Sequence, residues 1–327
     1  MSTKHFLHDA DSLVLDSLES LTITNPMLRY DRTNKGMRSR YTLCLSLQAE
    51  SVNAAIFLSN HDPSTQVALI SGGGAGHEPA HAAYVGEGLL TAAVSGSIFA
   101  SPNVSQIVHT IARVGGTAGT ILIIKNYTGD VFHFHLAAEK ARAKYGLKVE
   151  IIIVGDDVSV GREKSGKVGR RGLAGTVLVH KILGAMSRKS EVSIEVLASM
   201  GRLVISNLVT VGASLGHVHI PGREIANDHP IPEAEQLELG MGIHNESGCC
   251  IFNPPPDLPS LVNMMLDQLL DPCDPDRAFV DMETAEEIVL LVNNLGSVSV
   301  LEMGGITKQV MKALRKKSVR FMCLQSS

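Results

Sequence analysis

Apolar positions along this chain follow two alternating rhythms. Short apolar runs bounded by glycine, asparagine or aspartate, namely QVALIS, LLTAAVSG, TILIIKN and VEIIIVGDD, read as buried strands. Between them the spacing predicts helices over Pro79–Leu90, Val104–Val114 and Phe134–Tyr145. Strand alternating with helix implies a mostly parallel sheet covered by helices. Further helices are expected over Gly172–Met186 and Ser193–Leu208, leading into a second unit that holds VGASLGHVHIPG, LELGMGIHNESG and EIVLLVNNLG, with helices at Leu258–Leu270 and Ile306–Lys316. The fold class expected is therefore α/β, as two α/β domains with mixed, mostly parallel sheets, residues 1–190 and 191–327. One stretch resists this reading: between Asn34 and Gln66 the periodicity is mixed, and neither a helix nor a strand emerges.

The segment QVALISGGGAGHEPAHAAYV adds chemistry to the pattern. Its apolar run, glycine cluster and Pro79 read as strand, turn and helix start, so Gly72, Gly73, Gly74 and Gly76 are expected at the carboxyl end of a strand. There, backbone N–H groups can approach a ligand, with His77 at the rim. Packing alone explains such a turn about equally well. A dinucleotide fingerprint would need glycine where His77 stands, so that cofactor is not supported.

Composition narrows the classes. The 29 basic and 33 acidic residues leave a net charge of -4 with no basic block interleaved with aromatics, which argues against a nucleic-acid surface. The short basic patches RRGL and RKK read as solvated surface. No apolar run reaches the roughly 18 residues of a membrane span, and MSTKHFLHDADS carries no signal-peptide core, so no membrane partner and a cytoplasmic location are expected. Cys44, Cys249, Cys250, Cys273 and Cys323 form no C-x-x-C pair, which suits reduced thiols.

Four polar clusters fall where strands are expected to end: GGGAGHEP, FASP, KNYTGD and GMGIHNESG. Pockets of α/β proteins are assembled from such loops. Taken singly, Asp130 is as well explained as a turn former and Lys125 as a strand-end charge. His244 lies among small and polar residues, where imidazole serves as base or nucleophile near neutral pH, though a lone loop histidine is most often surface. The H-x-H pairs His133/His135 and His217/His219 lack a third ligand at metal spacing, so no metal site is expected. Gly161 to Val168 nearly spells a phosphate-binding P-loop, yet Val168 stands where the magnesium-binding hydroxyl belongs.

Together SGGGAGHEP, IFASP, KNYTGD, VGDDVSVGREKSGKVGRRGLAGTVLVHKILGA, VGASLGHVHIPGRE, LGMGIHNESG and VLLVNNLG resemble the substrate-binding K domain of dihydroxyacetone kinases, nearest the fungal single-chain, ATP-dependent type. The resemblance runs from the MSTKHF start to about residue 316. It implies two α/β domains in a homodimer that takes part in glycerol catabolism. It further implies that His244 adds covalently to the C2 carbonyl of dihydroxyacetone. Gly74, Ala75, Gly76, His77, Ser101, Lys125 and Asp130 would hold the hydroxyl groups, with Asp130 as the base of phosphoryl transfer, assisted by His77. Glyceraldehyde is a further expected acceptor.

Two departures stand beside the resemblance. Tyr41–Asn60 has no counterpart in it and reads as an insertion or unspliced stretch forming a surface loop. The end VRFMCLQSS stops where the family continues through a strand pair and a linker to the helical L domain that holds ATP and magnesium. The expectation is a chain with the pocket but without the phosphate donor, completed by an L domain in cis or in trans. The alternative is a triose-binding module without kinase activity of its own, serving a partner or regulator.

Overall fold

The structure, a computed structural model, describes residues 6, 9–31, 54–218, 220 and 236–326. In chain order these form α1 (Ala10–Thr24), β1 (Leu28–Asp31), β2 (Ala55–Leu58), β3 (Ala68–Ala75), β4 (Ala92–Ile98), α2 (Val104–Val114), β5 (Thr120–Lys125), α3 (Thr128–Tyr145) and β6 (Val149–Val154). There follow α4 (Arg162–Ser165), α5 (Thr176–Ser187), α6 (Ile194–Ser206), β7 (Ala213–Ser214), β8 (Leu237–Leu239), β9 (Cys250–Phe252), α7 (Leu258–Leu270), β10 (Ile288–Asn293), α8 (Val300–Lys316) and β11 (Phe321–Ser326). The described residues divide into two compact units. The first takes the chain through Ile153 together with Val177–Arg202, and the second takes Val154–Thr176, 203–218 and 236–326.

The first unit is built on a six-stranded sheet in the order β1-β2-β4-β3-β5-β6. The pairs β3–β4 and β3–β5 are parallel, while β1–β2 and β2–β4 are antiparallel. Ile70, Val94, Leu122 and Ile124 meet Ile107 and Ile111 of α2 and Phe134, Ala137 and Ala141 of α3 in one buried cluster. Close-packed apolar area of this kind is the main stabilising contribution of such a layer. Asn103 caps α2, accepting a hydrogen bond from the Gln106 amide at 2.9 Å, while the Gln106 side chain returns to the Asn103 amide.

Several sequence expectations are corrected here. Gly72–Gly74 lie inside β3 rather than after it, because the strand continues through Ala75. The helix expected over Pro79–Leu90 is a single 3-10 turn at Ala82–Tyr84. The Gly86 amide donates to the Leu90 carbonyl at 3.0 Å, folding the chain straight back toward β4, and Gly88, at φ +71°, supplies the left-handed residue that reversal requires. Residues 55–58 of the supposed insertion are β2, paired on both sides within the sheet, so that part is neither a loop nor extraneous; 41–53 lie outside the described residues. Mixed periodicity hid a four-residue strand with Ala55 and Ile56 buried and Phe57 and Leu58 half-buried. Helix α3 begins at Thr128, six residues before the expected Phe134, which puts Asp130 in its first turn, where the helix dipole favours a carboxylate. Helix α8 begins at Val300, not Ile306: Ser299 and Glu302 cap it reciprocally, and Gly304 and Gly305 face open space inside it.

The second unit carries a three-stranded antiparallel sheet, β7-β8-β9, and a parallel pair, β10-β11. Val262 and Leu266 of α7 pack against Ala313 and Leu314 of α8, with Ile288 and Leu290 of β10 beside them. Among the described residues no helix is long and apolar enough to cross a membrane.

Candidate functional site

In the first unit the parallel strands deliver Gly73, Lys125 and the first turn of α3 to one end of the sheet. Asp130 is only 5% exposed, and Ser101 Oγ donates to its Oδ1 at 2.5 Å. Its Oδ2 stands 3.6 Å from where a Cβ on Gly73 would sit. Lys125 is equally buried at the last position of β5. The Ser101 loop presses on both neighbours, since a Cβ on Gly129 would lie 2.8 Å from Ser101 Oγ and one on Gly74 would lie 2.6 Å from the Ala100 amide nitrogen. Ala75 closes β3, and its carbonyl accepts from the Phe99 amide at 2.9 Å. Gly76 takes φ +97° and its amide donates to Glu78 Oε2 at 2.9 Å, and the His77 ring packs against Phe99 with centroids 5.0 Å apart. Within this unit, therefore, Gly74, Ala75, Gly76, His77, Ser101, Lys125 and Asp130 lie on three adjoining segments. Gly72 is a packing residue: a Cβ there would meet the Val94 carbonyl at 2.3 Å and the Phe134 ring at 3.0 Å.

The sequence reading missed what lies beneath. Ser71, His81 and His180 form a buried polar chain, with His81 Nδ1 3.2 Å from Ser71 Oγ and 3.1 Å from His180 Nε2. Burial, with the Lys125 cation next, holds His81 well below the usual imidazole range and brings His180 down to about 3. Both rings are neutral at physiological pH.

His244 belongs to the second unit, on the loop between β8 and β9. Arg171 anchors that loop: its Nε donates to the fully buried Asp157 at 2.7 Å and its Nη2 to the Gly240 carbonyl at 2.7 Å. Ser159 Oγ donates to Asp157 at 2.5 Å. The RRGL patch, expected on the solvated surface, is thus corrected: Arg171 is 14% exposed and buttresses the histidine loop, while Arg170 stacks 3.9 Å from the Phe279 ring centroid. Gly240 at φ +79° and Asn245 at φ +65° make the loop's left-handed bends, and Asn245 exchanges hydrogen bonds with the Val218 backbone at 2.8 and 3.1 Å.

Glu246 then fixes His244. Its Oε2 accepts from the His244 amide at 2.9 Å, and its Oε1 lies 3.1 Å from His244 Nδ1. Burial alone would raise the Glu246 carboxyl, yet the hydrogen bonds from His244 outweigh it and draw it down to about 2. An ionised carboxylate only accepts, so Nδ1 carries a ring proton, and a ring holding that single proton has its lone pair on Nε2. Gly242 leaves room for this pairing, because a Cβ there would meet Glu246 Oε2 at 2.2 Å. A glutamate two residues after the loop histidine was the available signal.

The described histidines of the two H-x-H pairs have local partners. His133 Nδ1 lies 2.8 Å from the Pro102 carbonyl, His135 Nδ1 2.7 Å from the Val131 carbonyl, and His217 Nε2 3.4 Å from Glu238; His219 lies outside the described residues. The near-P-loop is filled by protein: Asp276 accepts from the Glu163 amide at 2.9 Å, and its carboxylate crowds Gly161. Among the described residues no three His, Cys, Asp or Glu side chains cluster to hold a metal ion. With the Asp276 carboxylate against Gly161, the 161–168 segment does not fit a nucleotide phosphate.

The mixed six-stranded sheet and the helices packed on it define an α/β protein. The family described as the Dak1 domain matches residues 36–325, and the chain belongs to that family. It is similar to dihydroxyacetone kinase 1 of Saccharomyces cerevisiae, 50% identical over 257 residues that cover 77% of this chain and 43% of that protein. It is also similar to the dihydroxyacetone kinase of Pichia angusta, 43% identical, covering 96% of this chain and 50% of that protein. Among solved structures, the dihydroxyacetone kinase from C. freundii in complex with AMP-PNP and Mg2+ aligns with TM-score 0.79 at 34% identity, covering 97% of this chain and 53% of that one. The chain spans about half the length of the curated relatives it matches.

Proposed function

We propose that this chain is the substrate-binding part of an ATP-dependent dihydroxyacetone (glycerone) kinase. The observation that carries the reading is the contact of Glu246 with the His244 amide and Nδ1, which orients the ring and leaves Nε2 as the nitrogen to add to a ketone. Nε2 forms a bond to C2 as the carbonyl π pair moves to oxygen. Nδ1 then passes its proton to Glu246, which releases it to solvent, and the oxygen takes a proton from solvent, leaving a neutral hemiaminal. Glycerol has no electrophilic carbon, so the chemistry selects the ketotriose as well as the shape does. Asp130, oriented by Ser101, takes the proton of the reacting hydroxyl, with Lys125 and His77 placed for charge and hydrogen bonding. Glyceraldehyde, also a carbonyl triose, is a second acceptor on this reading.

ATP and magnesium belong to an L domain, joined in cis or supplied in trans, and the assembled enzyme is a cytoplasmic homodimer in this proposal. The relatives' names support the kinase reading, and the AMP-PNP and Mg2+ complex of the C. freundii enzyme supports ATP and magnesium as its co-substrate and metal. A coupled ADP-release assay on the purified chain, with and without an added ATP-binding L domain, tests it. Turnover with dihydroxyacetone that requires the L domain is the expected result. No turnover in its presence, with both partners folded, leaves a triose-binding module.

A further inference from the structure

Beneath the Lys125–Asp130 cluster, the Ser71–His81–His180 chain has an unfinished end. The single Ser71 hydroxyl proton goes to the Ile123 carbonyl at 2.6 Å, so the 3.2 Å contact between Ser71 Oγ and His81 Nδ1 needs its proton from the ring. His81 Nδ1 therefore carries hydrogen, shared with the His180 Nε2 at 3.1 Å. With the ring neutral, His81 Nε2 is an unprotonated acceptor; it is buried and has no hydrogen-bond partner among the described residues, in a residue only 6% exposed. The large majority of buried acceptors in native proteins are partnered by protein, ordered water or ligand, so an orphan beside a notch marks a place where a bound molecule would complete it.

The same ring edge borders a notch. The Cβ position above Gly73 lies 4.0 Å from His81 Cδ2, the atom bonded to Nε2, and 3.6 Å from Asp130 Oδ2. Gly73 does not need glycine for backbone conformation, since its φ is not positive. What glycine leaves there is space beside a carboxylate and a bare imidazole nitrogen. We propose that His81 is a hydroxyl-recognition residue, its Nε2 accepting a hydrogen bond from a hydroxyl of a small polyhydroxy ligand seated in the notch over Gly73. The inference deepens the ketotriose reading above and rests on it. His81 is an acceptor and not a base, because the burial that strips its charge also keeps it from retaining a proton.

The test compares dihydroxyacetone with hydroxyacetone, which keeps the carbonyl and loses one hydroxyl. Calorimetric Kd values on the full chain give the preference ratio for wild type, His81→Phe and Gly73→Ala. Gly73→Ala places a methyl in the notch at ordinary contact distances, so it folds even if His81→Phe does not. Wild type is expected to prefer dihydroxyacetone by about tenfold or more, and both variants to lose about that factor. A wild-type ratio near one, or a ratio unchanged in folded Gly73→Ala, overturns the proposal. Carbon-13 spectra of ligand labelled at C2 report the His244 adduct separately. An adduct that persists with an unchanged ratio refutes only the His81 role, and wild type that binds neither ligand refutes both readings.

Discussion

Glu246→Gln changes one atom and tests how His244 is prepared. The carboxylate uses two acceptors at once, Oε2 for the His244 amide at 2.9 Å and Oε1 for Nδ1 at 3.1 Å. An amide has one acceptor and one donor. If its oxygen keeps the backbone N–H, its NH2 meets Nδ1, and the ring must move its proton to Nε2 to accept it. That tautomer has no lone pair left to attack a carbonyl. The energetic side follows from the carboxyl's displacement from 4.5 to about 2, with each pKa unit worth about 1.4 kcal/mol. The Glu246 side chain is 35% exposed, so screening reduces the contribution to about 1–2 kcal/mol. Because the folded-state pKa is lowered, that stability is fully present above pH 4.5 and is lost as pH falls toward about 2. Urea melts should therefore show Glu246→Gln less stable by about 1–2 kcal/mol at neutral pH, with the gap closing through that acid window. Nitrogen-15 spectra should show the His244 proton on Nε2, and the carbon-13 adduct should fall at least about tenfold. An undiminished adduct with the proton still on Nδ1 would refute the reasoning.

Further outcomes follow from other contacts. Asp130→Asn keeps the shape and removes the proposed base, so the adduct should persist while L-domain-dependent ADP release falls by about 10²–10⁴, read in the coupled assay. Arg171→Met leaves Asp157, fully buried, without its cation; a loss of about 3–5 kcal/mol in denaturant melts is expected, and a loss under about 1 kcal/mol would show the clamp to be unimportant. Gly74→Ala puts a Cβ 2.6 Å from the Ala100 amide nitrogen, and the displaced Ser101 loop should cost about 1–3 kcal/mol in the same melts and weaken dihydroxyacetone binding.

The sequence made the repeating frame of the first unit legible because its strands are continuous apolar runs and its helices carry clean caps; the spans of α2 and α7 coincide with those expected. It misled where a local signal had a second explanation. Pro79 suggested a helix start, but Gly86 and Gly88 turn the chain back within a few residues. The glycines of GGGAG read as a loop, although Gly72 is a strand residue whose missing side chain admits Val94 and Phe134. Residues of the site were visible as a set only through the family resemblance, since Asp130 and Lys125 taken alone are ordinary strand-end polar groups. What escaped altogether were partners distant in sequence: Arg171 bracing Gly240 across 69 positions, and His180 meeting His81 across 99. No local pattern encodes such pairs, because each depends on which segments the fold brings together.

Covalent binding of a ketotriose by His244 would be visible in the carbon-13 spectrum of C2-labelled dihydroxyacetone. With wild-type chain in excess, the ketone resonance should be replaced by a tetrahedral-carbon signal in slow exchange. His244→Ala should show none, and glycerol should leave the protein spectrum unchanged. A tetrahedral signal that survives His244→Ala, or a bound ligand in wild type that keeps its ketone carbon, would contradict the account.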